Sequence, residues 1–436
     1  MLTVTQIRVL SALSFSLLTA CAGGSGLQSI PASSNNHQTF QNAPGPQAVI
    51  DWNIIALSTT AAAAFNPPLE SRNIAIVQAA VYDAAVTITG GYRPYAFALA
   101  AARDASPAAA VATAAHDTLV ALYPGQQSNL DTAYQNYLLQ IMLLPSTQAG
   151  IAVGHEAATQ MLALRAADGS ATVVAYTPAT EPGQWQPAPP LFKPALDPGW
   201  GKVTPFLLRT GDQFRPTGPP ALTSAAYTAD FNEIDSIGAA DSTTRTADET
   251  ATARFWASTG PQLWNQAAQQ LVAADHFSIT RAAHAFAVLN LVGADSFIAA
   301  WDAKYTYNQW RPIMGIRGAS NDGNPDTVAD AAWTPLLPTP PFPDYPAGHT
   351  VNAGASEVVL TEIFGAAPGT FHITSAASGL THEYTTFQSV ADEVVNARVW
   401  AGIHWRTSCT AGRVLGQAIA AFDLTHGLQP QQRHIK

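Results

Sequence analysis

Apolar residues in this chain recur at helical spacing, and Pro and Gly break the pattern at intervals. From about Gln47 onward, helical stretches alternate with such breaks. Pro67-Pro68 followed by Leu69 to Tyr82 places proline in a first turn with helix formers behind it, a sound helix start. Further helices are predicted over Pro107–Leu122, Ser128–Met142 and Thr147–Ala167. After a long interruption they resume over Thr223–Ile237, Thr246–Trp256, Gln262–Ala274 and Ser278–Tyr305. In the last of these, Phe286, Leu289, Gly293, Phe297 and Ala300 share one face, and Trp301 and Lys304 continue it, so Lys304 is carried toward the core. Thr350–Phe364, closed by Gly365, and Thr410–Leu424 follow; between them Val390, Val394 and Val395 face inward in a pattern that Arg398 ends. Alanine is abundant and β-branched runs are few, which favours helix over strand. The expected fold is all-α, a domain of packed helices.

The interruption, Pro178–Pro220, is rich in Pro and Gly and too long for an ordinary connection. Its aromatics, Trp185, Phe192, Trp200, Phe206 and Phe214, predict a packed covering loop rather than a free linker. At the other end of the chain, Arg8 precedes an apolar stretch from Val9 to Ala20, the length of a signal-peptide core and too short to span a bilayer. Its end, Leu18-Thr19-Ala20-Cys21, resembles a bacterial lipoprotein signal with Cys21 as the acylated residue. The expected organisation is a signal over 1–21, a flexible tether over 22–46 and a single helical domain over 47–436. Export is expected, to the periplasm or to an outer-membrane anchorage. After the leader, no run of 18 or more apolar residues is found, so membrane contact is expected through the lipid alone. Cys409 is the sole cysteine left beyond Cys21, which excludes a disulfide framework or a Cys-based metal site; a buried small hydrophobe is expected there.

Charge narrows the function. Formal net charge is −10, which argues against nucleic acid or an anionic membrane as partner. Charged residues make up 11% of the chain, against about 25% in an ordinary domain. Cations set among aromatics in so charge-poor a sequence point to a buried anion, because unpaired buried charge is costly. Three stretches contain them: Lys304 to Pro312, Tyr345 to His349, and Arg398 to His404. Lys304 and Arg311 are two helical turns apart, and Pro312 predicts that the helix ends at Arg311, leaving its guanidinium free to grip two oxygens. Pro341 to Tyr345 forms a rigid approach to the Gly348-His349 turn, which opens a helix. First-turn amides and the helix dipole favour an anion there, and Gly348 lets it come close. Gly402 breaks the chain before His404, whose neutral imidazole suits coordination of a metal oxyanion or attack on phosphorus.

Taken together, Lys304-x6-Arg311-Pro312, Pro346-x-Gly348-His349 and Arg398-x3-Gly402-x-His404 resemble the vanadium-dependent haloperoxidases, which share their site with the type-2 phosphatidic acid phosphatase superfamily. The motif-bearing resemblance covers Trp301 to Gly416. It implies two packed four-helix bundles, with vanadate held in the C-terminal one and phosphate able to occupy the same place. Lys304, Arg311, Arg398 and the Gly348 amide would neutralise the oxyanion. His404 would bind vanadium, and His349 would serve as acid/base. Hydrogen peroxide, halide and a small organic acceptor would be the reactants, with Trp301 and Phe342 walling the halide pocket. Two positions depart from the pattern. Ala347 stands where the family usually has Ser, removing a hydroxyl donor worth roughly 1–3 kcal/mol if nothing replaces it. Ser408 stands where an Asp often orients the ligand imidazole; Ser408 itself or a backbone carbonyl would have to do so.

Two rival readings follow from the same residues. A phosphatase would use His404 as nucleophile and His349 to protonate the leaving group. A surface lipoprotein with a degenerate site would bind an anion without turnover.

Overall fold

The structure is a computed structural model describing residues 45–63, 66–102, 104–141 and 144–431. The leader, Cys21 and the tether up to residue 44 lie outside the described residues, as does Met142. Thirteen α-helices are present among them. The first five are α1 (Gln47–Ala63), α2 (Pro67–Thr89), α3 (Pro107–Leu122), α4 (Gln127–Gln140) and α5 (Pro145–Arg165). After the Pro/Gly-rich segment come α6 (Ala225–Ile237), α7 (Ala247–Phe255), α8 (Gly260–Ala274) and α9 (Ile279–Tyr307). The C-terminal part holds α10 (Pro312–Arg317), α11 (Gly348–Phe364), α12 (Phe387–Trp400) and α13 (Arg406–His426). A two-stranded antiparallel hairpin, β1 (Phe371–Thr374) with β2 (Thr381–Tyr384), interrupts them with Phe371 opposite Tyr384. The all-helical expectation holds apart from this hairpin. Its strands are only four residues each, too short for an alternation to stand out in the sequence.

Two helices are buried nearly all round. They are α2, in contact with α1, α3 and α5, and α9, which packs on α2, α11 and α13. By length and composition α9 would suit a bilayer, but the other helices enclose nearly all of it. Ser278 caps its start, with its side chain accepting the Arg281 amide, and Asn308 ends it in the left-handed conformation. Lys304 is thereby delivered one turn before the end of a rigid, fully packed helix.

The Pro178–Pro220 segment packs against α9 and the loops behind its C-terminal end. The Asp295 carboxylate accepts the amides of Phe206, Leu207 and Leu208 at 2.7–2.8 Å. Asp302 receives Arg215 through two bonds of 2.7 and 3.0 Å. Trp301 Nε1 and Tyr305 both donate to the Leu196 carbonyl, and the Leu196 amide bonds Pro341. Trp185, Trp200 and Phe206 are buried, Phe214 packs on Phe422, and Phe192 is exposed.

The tightest helix contact is between α11 and α13. A Cβ on Gly416 would lie 1.9 Å from the Val351 carbonyl oxygen, and one on Gly354 would lie 2.2 Å from that of Arg413. Backbone meets backbone here because both helices present glycine. The contact fixes the start of α11, which holds His349, against the start of α13, which follows His404. Gly416→Ala is expected to push the helices apart and cost about 3 kcal/mol or more, measured as a lowered midpoint in urea unfolding.

Candidate active site

The three cationic stretches meet at one buried point, where the end of α9, the start of α11 and the loop between α12 and α13 come together. Lys304, Arg311 and Arg398 are respectively 0%, 0% and 3% exposed. Lys304 Nζ donates to the carbonyls of Pro343 and Asp344, both at 2.9 Å. It lies 5.0 Å from the Phe342 ring centre and 5.7 Å from that of Trp301. Arg311 is not at the end of α9 as the sequence suggested. Asn308 stops the helix first, and Arg311 caps α10, held extended before Pro312 at its first position. Its Nε donates to Phe342 O and its Nη1 to Ile403 O, both at 2.7 Å. The guanidinium lies over the Phe342 ring at 4.6 Å. Trp301 and Phe342 thus flank the cations, their rings 4.9 Å apart.

From the opposite side, Arg398 in the last turn of α12 donates Nη1 to the Trp256 carbonyl at 2.6 Å. His349 is the second residue of α11, where first-turn amides lack intrahelical acceptors. Its Nε2 is 3.3 Å from the Ser258 carbonyl, and it is the least buried of the five. A Cβ on Gly348 would touch Trp301 at 3.4 Å and Lys304 Cε at 3.9 Å, filling the space between the helix start and the ammonium. His404 sits in the turn opened by Gly402, whose φ is +73° and whose Cβ would meet Gly238 O at 2.2 Å. His404 Nε2 is 3.1 Å from Arg311 Nη1.

One charged residue that sequence reasoning passed over completes the group. Asp344, 0% exposed, places Oδ1 at 2.9 Å from His404 Nδ1 and 3.6 Å from Arg311 Nη1. It was read only as part of a rigid Pro-rich approach. Its signal was the same one that marked the cations: a charge inside an apolar, aromatic run of a charge-poor chain. Also unforeseen were the carbonyls of Phe342, Ile403, Trp256 and Ser258, because acceptors of this kind have no sequence signature. Ser408 does not reach the imidazole as a bonded partner; its hydroxyl donates to the Asp344 carbonyl at 3.1 Å. Ala347 is fully buried at the α11 cap, and no side chain caps that helix. Cys409 is buried, as expected.

Positive charge dominates this interior. Asp344 is the only carboxylate paired with any of the five residues among those described. Burial and the neighbouring Arg311 hold the Lys304 ammonium well below its ordinary range, against the pull of Asp344. Burial lowers Arg311 and Arg398 to about 10. Both imidazoles are held well below 6.5, by burial first and then by the nearby cations, so both are neutral at physiological pH. Burial lifts Asp344 to about 6 although Arg311 and Lys304 oppose the rise, and it remains mostly ionised at neutral pH. Arg311 Nη2 and Arg398 Nε are buried without a hydrogen-bond partner among the described residues. Such orphaned donors are costly unless an acceptor meets them. Two unspent guanidinium nitrogens, an ammonium, first-turn amides and a neutral imidazole are the donor set of a site for a multiply charged oxyanion.

The stretch that holds most of these residues matches known proteins. The family profile described as "VCPO second helical-bundle domain" matches residues 284–432, which include every site residue named above except Gly238, Trp256 and Ser258. The C-terminal bundle is thus similar to a helical-bundle domain of vanadium haloperoxidases. Vanadium chloroperoxidase of Curvularia inaequalis is 26% identical over 213 residues, which is 41% of this chain and 34% of that protein. The family likeness thus spans about a third of the length of the curated relative. Beyond the bundle, the fold as a whole is shared with solved structures. The first bacterial vanadium-dependent iodoperoxidase superimposes with a TM-score of 0.78, at 24% identity, over 90% of this chain and 99% of that one. The holo-type bacterial vanadium-dependent chloroperoxidase gives 0.68, at 16% identity, over 83% and 92%.

A bundle whose buried cations repel one another should be stabilised by their removal as well as by an anion. Orthovanadate or phosphate is expected to raise the thermal midpoint. Arg398→Met is expected to raise the midpoint of the ligand-free protein while weakening anion binding by about 2–5 kcal/mol. Differential scanning fluorimetry with and without anion checks both signs.

Proposed function

We propose that this protein is a vanadate-dependent haloperoxidase that oxidises halide with hydrogen peroxide to a hypohalite-like species, which halogenates a small organic acceptor. The observation that carries the reading is the convergence of the buried Lys304, Arg311, Arg398 and His404 and the less buried His349 on one point, with two guanidinium nitrogens unpartnered among the described residues. Lys304, Arg311, Arg398 and the Gly348 amide would hold the oxyanion by neutralising its charge. His404 offers a neutral imidazole as the ligand to vanadium. When bound, vanadate supplies the Lewis acidity that activates peroxide toward halide.

His349 handles protons. In the ligand-free site its imidazole is kept neutral by burial and by Arg398, Lys304 and Arg311. An oxyanion among those cations reverses their contribution and raises the affinity of His349 for a proton. The group can then take a proton from incoming peroxide and return it to a departing oxygen. Trp301 and Phe342 keep the approach apolar, which favours a weakly hydrated halide over water.

Phosphate suits the same donors, so a phosphatase is the alternative the assay must separate. Export with acylation of Cys21 is also part of the proposal, supported by the apolar leader that ends in Leu18-Thr19-Ala20-Cys21. Palmitate labelling that Cys21→Ala abolishes is the expected result; labelling that survives it would discard the anchor.

For the activity, peroxide-dependent iodination and bromination of a diketone dye are expected to require orthovanadate. His404→Ala should reduce turnover by more than about a hundredfold. No halogenation with any halide, together with His404-dependent hydrolysis of p-nitrophenyl phosphate, would identify a phosphatase. Anion binding without either turnover would identify the degenerate surface protein.

A further inference from the structure

We infer that Asp344 is the positioning residue for His404: it holds the imidazole in the tautomer protonated at Nδ1 and turns the Nε2 lone pair toward the anion. It takes the role of a carboxylate four residues after His404, a position where this chain has Ser408. The inference rests on His404 being the imidazole that meets the anion, as proposed above.

Three observations carry it. The first is the carboxylate itself. Asp344 is fully buried, neither of its side-chain oxygens has a donor well in line, and the nearest ring nitrogen is His404 Nδ1 at 2.9 Å. Lys304 Nζ and Ser408 Oγ both bond the main-chain carbonyl of Asp344, and Arg311 Nε and Nη1 bond the carbonyls of Phe342 and Ile403. The Ser408 hydroxyl and the Trp405 amide also approach the carboxylate, and a proton on Nδ1 is the donor that the ring itself offers it at 2.9 Å. Bonds of this kind are often poorly aligned before the ligand arrives and tighten in its complex.

The second is the other neighbour of the ring. Arg311 Nη1 lies 3.1 Å from His404 Nε2 and 3.4 Å from Nδ1, so the cation sits against the imidazole and leaves the choice of tautomer to the carboxylate. Asp344 Oδ1 can accept only a proton carried on Nδ1, which leaves the Nε2 lone pair free. The third is rigidity. Asp344 lies between Pro343 and Tyr345-Pro346, its amide donates to Gln309 O at 2.8 Å, and its carbonyl takes Lys304 and Ser408. A carboxylate on so constrained a backbone can fix an imidazole without moving itself. The Ser408 side chain points at this same residue, so a carboxylate at position 408 would compete for one ring nitrogen. The chain has placed the acid on the loop and a small hydroxyl on α13.

The test uses the full chain with nitrogen-15 in its histidines, His404 being assigned by loss of its signals in His404→Gln. Wild type is expected to show a protonated Nδ1 and an unprotonated Nε2, and Asp344→Ala to show a mixture or the opposite tautomer. Orthovanadate and phosphate dissociation constants, measured by calorimetry without any turnover, are expected to weaken about 10–100-fold in Asp344→Ala. The double change Asp344→Ala with Ser408→Asp is expected to recover most of that loss and to restore the tautomer, which a merely structural role for Asp344 would not allow. A wild-type His404 protonated at Nε2, or an Asp344→Ala protein with unchanged tautomer and affinity, overturns the inference. Should Asp344→Ala fail to fold, the wild-type spectrum and the double variant still decide it. Should wild type bind neither anion, the haloperoxidase reading fails while the tautomer still reports on Asp344.

Discussion

Positive charge buried without its equal in negative charge is the constraint around which the C-terminal half of this protein is arranged. Lys304, Arg311 and Arg398 lie inside a helical core where, among the described residues, Asp344 beside Arg311 is the one carboxylate paired with any of them. Taking such groups from water costs several kcal/mol each unless they are paired. The molecule meets part of that cost with main-chain carbonyls: Pro343 and Asp344 for the lysine, Phe342 and Ile403 for one arginine, Trp256 for the other. It leaves part unmet, at Arg311 Nη2 and Arg398 Nε. An anion placed among these groups would meet donors already in position, with little reorganisation.

Holding that condition requires a scaffold that does not relax. A flexible interior would let the cations swing to water. Here α9 is enclosed by neighbours along nearly its whole length, and the glycines of α11 and α13 let the two backbones touch. The Pro/Gly-rich segment adds a second clamp, with Asp295 and Asp302 of α9 binding its amides and its arginine. The Leu196 carbonyl, receiving Trp301 and Tyr305, brings that clamp to the wall of the site. Stability is spent in the core so that charge can be kept where it is unfavourable.

The departures from the family motif look different in three dimensions. Loss of an acid beyond His404 read as a weakened imidazole, yet a carboxylate stands at the same ring nitrogen from the opposite loop. Ala347 has no such substitute: its side chain offers no donor, and the α11 start relies on its backbone amides. Orientation of the imidazole thus has a replacement in this chain, and the serine hydroxyl does not.

Helices with strong periodicity were legible because burial of one face imposes a repeat on the chain itself; α3, α8, α9 and α11 fall within a few residues of their predicted spans. The site cations and imidazoles were legible too, since charge in an apolar run is rare and their order and spacing carry the family pattern. What the chain alone determined is therefore which residues bear the chemistry and which segments become helix. The tertiary structure decided their partners. Asp344 against His404, the carbonyls that take the guanidinium protons, and the end of α9 at Asn308 ahead of Arg311 all depend on contacts between segments far apart in sequence. A spacing rule reports one element at a time, whereas desolvation and hydrogen bonding act between elements, and only packing brings those together.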